Sequence, residues 1–370
     1  MSSYISMFNP IKMGMDWFFY KSAKDYIKKP SIESIRKYEL LILCIDGVLK
    51  NNNEAIPLAV ETFNKLKNEL NTKLCLLTNE CRYPPQTIRK QLISMGFDID
   101  TSVDIVSASS LVLITLSNIL KLRHINSASN LEKETENYNS GYISRKRYKR
   151  IVNTEDAELN KAIRHTKFGI IADDELFNYL ANSITKKYKH ATFYHIKKDL
   201  STNNIPENLD YIVIGTLENS NKLDQYLNNS VQWLLANPNV AIILAHTDTN
   251  TKIEDTLCPV SVLNSIKEHG KKDNSEFKLP DDTISVGKPY CSEFIDKFME
   301  RYKLDKSGSA RLNILVVGDD YDCDMKFAEN VGCDKCLVLT GNITSDDLVK
   351  QKYDISGIEY IIPDVSYLAL

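Results

Sequence analysis

Leu41-Ile42-Leu43-Cys44-Ile45-Asp46-Gly47-Val48-Leu49 is the stretch that decides the fold. An apolar run of this length, closed by an acidic turn with a glycine, has the pattern of a strand buried on both faces of a parallel sheet. Asp46 then falls at the carboxyl end of the strand, where open α/β sheets place their ligands. Gly47 allows the backbone to turn sharply away.

Outward from this stretch, apolar strands and amphipathic helices alternate. Residues 56–70 form an amphipathic helix with Pro57 in its first turn, and Lys73 to Asn79 read as the next strand. Pro84 and Pro85 lead into a helix closed by Gly96, and Asp104 to Ala108 form a short strand before the apolar helix Leu111 to Leu122. Alternation of this kind predicts right-handed βαβ units and a parallel sheet. A second α/β pattern runs from Lys167, with strands at 167–172, 210–215 and 240–246 and helices at 173–188 and 221–237. Lys267 to Asn274 reads as a polar loop back to the first unit. Thr283 to Pro289, a helix from Cys291 to Tyr302, the strand Leu312 to Asp319, the helix Asp324 to Asn330, Cys336 to Gly341 and Tyr360 to Pro363 complete that unit.

Composition narrows the function classes. The chain has 370 residues, enough for two units, and 43% hydrophobic residues support a sizeable core. With 46 basic and 49 acidic side chains the net charge is −3, which gives no general attraction to nucleic acid or to anionic membrane. No apolar run reaches the ~20 residues of a membrane span. Eight cysteines, several inside apolar strands, fit a reducing intracellular compartment, mitochondrial or cytoplasmic, rather than a disulfide framework.

Two regions stand outside the repeating pattern. Residues 1–38 form an N-terminal helical extension in which Met15, Phe18, Phe19, Ser22, Ala23, Tyr26 and Ile27 make one mostly apolar stripe among lysines. That stripe reads as a face packed on its own domain, as a partner-binding or membrane-surface helix, or as a targeting segment. Ser31 is placed to cap a second short helix, with Glu33 near its positive end. The other region is a polar insert near 125–162, where Arg145, Lys146, Arg147, Lys149 and Arg150 form a basic cluster. The cluster is either a solvated face or a dock for an acidic partner.

The chemistry-bearing residues sit at strand ends. Thr78 and Asn79 offer a hydroxyl and an amide for phosphate oxygens, and Lys288 offers a cation. Asp319, Asp322 and Asp324 follow Gly318 as a carboxylate cluster that suits Mg²⁺. Cys333 and Cys336 have metal-ligand spacing but no second pair, and His246 ends a strand of the second pattern. Asp46-Gly47-Val48-Leu49, Ile56-Pro57-Leu58-Ala59, Leu76-Leu77-Thr78-Asn79, Gly287-Lys288-Pro289, Val317-Gly318-Asp319 with Asp324, and Leu337-Val338-Leu339-Thr340-Gly341 occur in that order. This set resembles the motifs of the haloacid dehalogenase (HAD) superfamily, in the branch of nitrophenyl and phosphoglycolate phosphatases.

The resemblance implies a Rossmann-like core at residues 39–109 and 281–370, with an α/β cap inserted at 110–280. It implies Asp46 as general acid/base and, through its carbonyl, a Mg²⁺ ligand. Thr78, Asn79 and Lys288 would then bind phosphate, and Asp319 and Asp324 would bind or support the metal. At the nucleophile position the family has an aspartate and this chain has Cys44. Neither an aspartyl-phosphate nor the first metal carboxylate can form there, and a thiolate is a soft ligand that Mg²⁺ disfavours. Three readings of Cys44 stay open: a decayed site on a scaffold, a phosphatase using Cys44 or direct water attack, and a binding site for a phosphorylated small molecule without turnover. The leading expectation is an impaired structural or interaction subunit of a larger assembly, with weakened Mg²⁺ binding. Its docking surfaces would be the N-terminal helix and the 145–150 cluster; the alternative is a Mg²⁺-dependent phosphatase.

Overall fold

The computed structural model describes residues 22–69, 73–127, 165–197, 205–249, 255–291 and 313–369. Met15, Phe18 and Phe19 of the apolar stripe, the 145–150 cluster and the helix expected from Cys291 to Tyr302 lie outside the described residues. In chain order, α1 (Ile32–Ile35) precedes β1 (Leu40–Cys44), α2 (Ala59–Glu69), β2 (Lys73–Thr78), α3 (Pro85–Ser94), β3 (Asp104–Ser107) and α4 (Ala108–Ser127). Then come β4 (Thr166–Ile171), α5 (Asp174–Lys187), β5 (Ala191–His195), β6 (Tyr211–Ile214), α6 (Leu223–Ala236), β7 (Ala241–Leu244), α7 (Pro259–Asp273) and β8 (Thr283–Ser285). The last elements are β9 (Ile314–Gly318), α8 (Lys326–Val331), β10 (Asp334–Val338), α9 (Ser345–Val349) and β11 (Tyr360–Ile362).

The strands form two parallel sheets. The first has the order β11-β10-β9-β1-β2-β3 and the second β8-β7-β6-β4-β5. β1 is central and wholly buried, as its unbroken apolar run predicts. Leu40 and Ile42 face one cluster, with Leu111, Val112 and Leu116 of α4, while Leu41 and Leu43 face another with Phe63, Leu66 and Leu92. The alternation follows from the two-residue repeat of a strand. The first of these clusters continues into the second sheet through Phe168, Ile170, Leu176 and Tyr211, so the two sheets share apolar packing. Each such fully buried side chain stabilises the fold by roughly 1.5–3 kcal/mol.

Two expectations are corrected, and one strand was not foreseen. Lys267 to Asn274 is not a loop: it is the end of α7, whose Val262 and Ile266 are buried while Lys271 and Lys272 sit in the last turn, beside the negative end of the helix dipole. Thr283–Ser285 pairs with β7, so the chain returns to the first sheet only after Ser285, later than residue 281. β5 was not anticipated, because Ala191-Thr192-Phe193-Tyr194-His195 is an edge strand without a continuous apolar run. In the described part of the N-terminal stripe, Tyr26 packs on its own domain, the first of the readings given for it. Tyr26 is buried among Leu337, Ile343, Leu348 and Ile361, and Lys28 exchanges backbone hydrogen bonds of 2.9 and 3.0 Å with Ile361. Ser31 caps α1 as expected, its hydroxyl accepting the Ser34 N–H at 3.2 Å. No helix among the described residues is long and apolar enough to cross a membrane.

Candidate functional site

The strand order β9-β1-β2 puts three carboxyl ends side by side, with Cys44 in the middle. Thr78 ends β2 with Asn79 directly after it, and Asp319 follows β9. The fourth contributor, Lys288, comes from the segment after β8 and enters through Asn79. The Asn79 Oδ1 accepts the Lys288 backbone N–H at 2.8 Å, and its Nδ2 reaches the Lys288 carbonyl at 3.5 Å. Asn79 therefore acts here as the latch that aims Lys288.

The Lys288 ammonium lies 2.5 Å from Asp324 Oδ1 and 3.5 Å from Cys44 Sγ, with all three groups buried. Burial opposes the charge on Lys288, but Asp324 overcomes it and holds the ammonium well above its ordinary pKa. Burial raises the Cys44 thiol, and Asp324 and Asp319 raise it further against the opposing pull of Lys288. Cys44 is thus a neutral thiol at neutral pH. Asp324 is fixed from three directions: besides Lys288, its Oδ2 accepts the backbone N–H of Asp319 at 3.0 Å and of Asp320 at 3.1 Å. The close approach is possible because residue 318 is glycine, where a Cβ would collide with the Asp324 carboxylate.

Asp319 is cradled by two more glycines. A Cβ at Gly47, whose φ is +75°, or at Gly341 would run into its carboxylate. Burial and then Asp324 push the Asp319 pKa up to about 8, against the opposing effects of the Asn342 N–H and Lys288. The Asn342 N–H donates to its Oδ2 at 2.7 Å.

Asp46 occupies the rim, its side chain 54% exposed. One carboxylate oxygen pairs with Lys50 at 2.5 Å and the other accepts the Thr78 hydroxyl at 2.9 Å. Asp322 does not join the cluster, because it is exposed and pairs with Lys326 one turn on. Asp320 caps the following turn, accepting the Cys323 N–H at 2.8 Å. His246 packs beside Gly287; burial and Lys288 lower its pKa to about 3, so it is neutral. Cys333 and Cys336 pack into different apolar clusters and make no metal pair. Arg82 stacks on Tyr83 and stays beside Glu80, at 3.8 Å.

For Mg²⁺ the donor set falls one carboxylate short. Asp319 is a hard oxygen donor in a tight cradle, but the adjoining position carries a neutral sulfur and Asp324 is held by Lys288 and two N–H groups. The residues present do not reproduce a two-carboxylate Mg²⁺ site.

A haloacid dehalogenase-like hydrolase model matches residues 41–139, and a HAD-hydrolase-like model matches residues 285–368. The chain is similar to this family over those two stretches, and its fold is a HAD-type Rossmann-like core with an α/β cap. Solved phosphatase structures share this fold. A p-nitrophenyl phosphatase from Archaeoglobus fulgidus superposes with a TM-score of 0.58 at 17% identity, over 90% of this chain and 98% of that one. A glycerol phosphate phosphatase from Mycobacterium tuberculosis in complex with magnesium gives a TM-score of 0.57 at 15% identity, over 92% of this chain and 78% of that one. Phosphoglycolate phosphatase 2 of Arabidopsis thaliana is 36% identical over 83 residues, which is 22% of this chain and 25% of that protein.

Several residues of the site carry no signal in the sequence. Lys50 and Glu80 look like ordinary surface charges, yet one pairs with Asp46 and the other is half-buried against Thr78 and Arg82. Gly341 and Asn342 follow a strand that was recognised, so their position beside Asp319 was open to inference from the order of strand ends. Asp248, 3.4 Å from Asn79 Nδ2, arrives only through the folding of the cap.

Proposed function

We propose that this chain is a phosphatase-like protein of the HAD family whose hydrolytic chemistry is impaired, and that it serves as a structural or interaction subunit. The observation that carries the reading is Cys44, a buried thiol with a raised pKa where attack on phosphorus and metal binding both call for a carboxylate. Asp324, the acid beside Lys288, is no substitute nucleophile, because its oxygens are held by an ammonium and two backbone N–H groups. Losing one member of a catalytic unit costs on the order of 10⁶ in rate. Phosphate monoesters are among the slowest substrates without catalysis, so what remains of the site leaves little turnover. Mg²⁺ binds weakly, through Asp319 and the Asp46 carbonyl. The basic cluster at 145–150 is the proposed partner surface, and a phosphorylated small molecule is the proposed ligand of the Lys288 pocket.

The test is hydrolysis of p-nitrophenyl phosphate with Mg²⁺ by the natural chain and by Cys44→Asp. The natural chain is expected at background, with Cys44→Asp gaining at least tenfold. Robust turnover by the natural chain that disappears in Asp46→Asn would instead establish an active Mg²⁺-dependent phosphatase.

A further inference from the structure

Arg82 belongs to the loop after β2, where core and cap meet. The Thr78 hydroxyl accepts the Glu80 N–H at 2.9 Å and donates to Asp46, which ties this loop to the rim of the site. Cys81 Sγ lies 4.0 Å from the hydroxyl of Thr216, just past cap strand β6. The Tyr83 carbonyl accepts the Ser109 hydroxyl at 2.7 Å, in the first turn of α4. Small-molecule sites favour such junctions between domains. The guanidinium of Arg82 is poorly answered there. Its Nε is buried and has no hydrogen-bond partner among the described residues. Glu80, the acid beside it, approaches Nη2 only to 3.8 Å, too far for a hydrogen bond, and its other oxygen accepts the Arg82 backbone N–H at 2.7 Å. The Tyr83 ring, centred 4.7 Å from Cζ, gives a cation–π contact but no oxygen. A buried N–H left without an acceptor is costly, so a guanidinium held this way calls for a partner that the fold does not supply.

We propose that Arg82 binds a second anionic group, a carboxylate or a phosphate, on a phosphorylated small molecule whose first phosphate lies at Lys288. This rests on the phosphorylated ligand proposed for the Lys288 pocket. The Nε–H and one Nη–H lie along one edge of a guanidinium and donate in parallel to two oxygens of an oxyanion, a fork that lysine lacks. A ligand oxygen at Nε satisfies the buried donor, and its charge balances a guanidinium that Glu80 meets only at long range. Asn79 joins the two cations: it opens the loop that carries Arg82, and its Oδ1 holds the Lys288 backbone N–H at 2.8 Å. A monophosphate with a neutral tail leaves Arg82 unanswered and binds more weakly. Binding makes and breaks no covalent bond, so it does not depend on whether Cys44 supports turnover.

Calorimetric titration of the full chain tests the proposal, with methylphosphonate as the probe of one anion and ω-phosphonocarboxylates, from phosphonoacetate to phosphonobutyrate, as probes of two. At least one member of the series should bind about tenfold tighter than methylphosphonate, the effect of a single charge-assisted contact. In Arg82→Gln that preference should vanish. Bisphosphonates of the same lengths show whether carboxylate or phosphate is the better second group. Equal affinity for methylphosphonate and every two-anion probe, or a preference that survives in Arg82→Gln, would overturn the proposal and leave the ligand of the Lys288 pocket standing. No binding of any probe would overturn both. Near-UV circular dichroism checks that the variant is folded. If Arg82→Gln does not fold, Arg82→Lys keeps the charge without the fork, and a preference fully retained there is itself sufficient to overturn the proposal.

Discussion

The two parallel sheets of this protein end alike in polar residues, yet they handle charge differently. At the carboxyl end of the cap sheet, Asp173 is matched by Lys197 at 2.9 Å, and its oxygens also take the Glu218 N–H at 3.1 Å and the Thr216 hydroxyl at 3.4 Å. That is a balanced local network. At the carboxyl end of the core sheet, Lys288 forms its ion pair with Asp324, and Asp319 keeps a pKa raised to about 8. A balanced pair marks architecture, whereas an acid held so far from its ordinary range marks a place shaped for chemistry. Cys44 sits in that second environment without an ionisable acid's contribution to it.

This contrast can be broken experimentally, and urea denaturation reads the outcome in each case. The largest effect is expected for Lys288→Met, which strands Asp324 in the core and should cost about 3–5 kcal/mol. Gly47→Ala comes next at about 1–3 kcal/mol, because it combines a positive φ with a collision against the Asp319 carboxylate. Lys197→Met in the cap should cost only roughly 1–2 kcal/mol, since Asp173 keeps its N–H and hydroxyl donors and lies nearer solvent. A cap variant as damaging as Lys288→Met would erase the distinction. The smallest effect concerns Glu80, whose pKa is raised by burial, helped by Asp46 and opposed by Arg82. Its stabilising contribution is full below the unfolded value of about 4.3 and declines as pH rises through the folded value. The stability of the natural chain relative to Glu80→Gln should therefore fall, by about 1 kcal/mol or less, between pH 4 and 8.

What could be read in advance was whatever depends on local pattern. β1, β2 and β9 are continuous apolar runs ending in polar turns, so the sequence alone puts Cys44, Thr78, Asn79 and Asp319 at strand ends. Lys288 was legible from its Gly287 and Pro289 neighbours. The partners of these residues were not. Lys50 reaches Asp46 across a tight turn, Asn342 and Gly341 arrive from the end of β10, and Asp248 arrives from the cap; sequence patterns encode no such meetings. Asp322 shows the converse. It shares the spacing of a ligand, but its position in the turn directs it to Lys326 and solvent. β5 and α7 were missed because the first lacks a continuous apolar run and the polar end of the second conceals the buried stripe of Val262 and Ile266.

The central claim is that the sulfur at position 44 cannot replace a carboxylate oxygen beside Asp319. Calorimetric titration of Mg²⁺ into the natural chain and into Cys44→Asp, with Asp319→Asn in each background, measures that directly. The account predicts at least tenfold tighter Mg²⁺ binding in Cys44→Asp, lost again with Asp319→Asn; equal affinity of the natural chain and Cys44→Asp would contradict it.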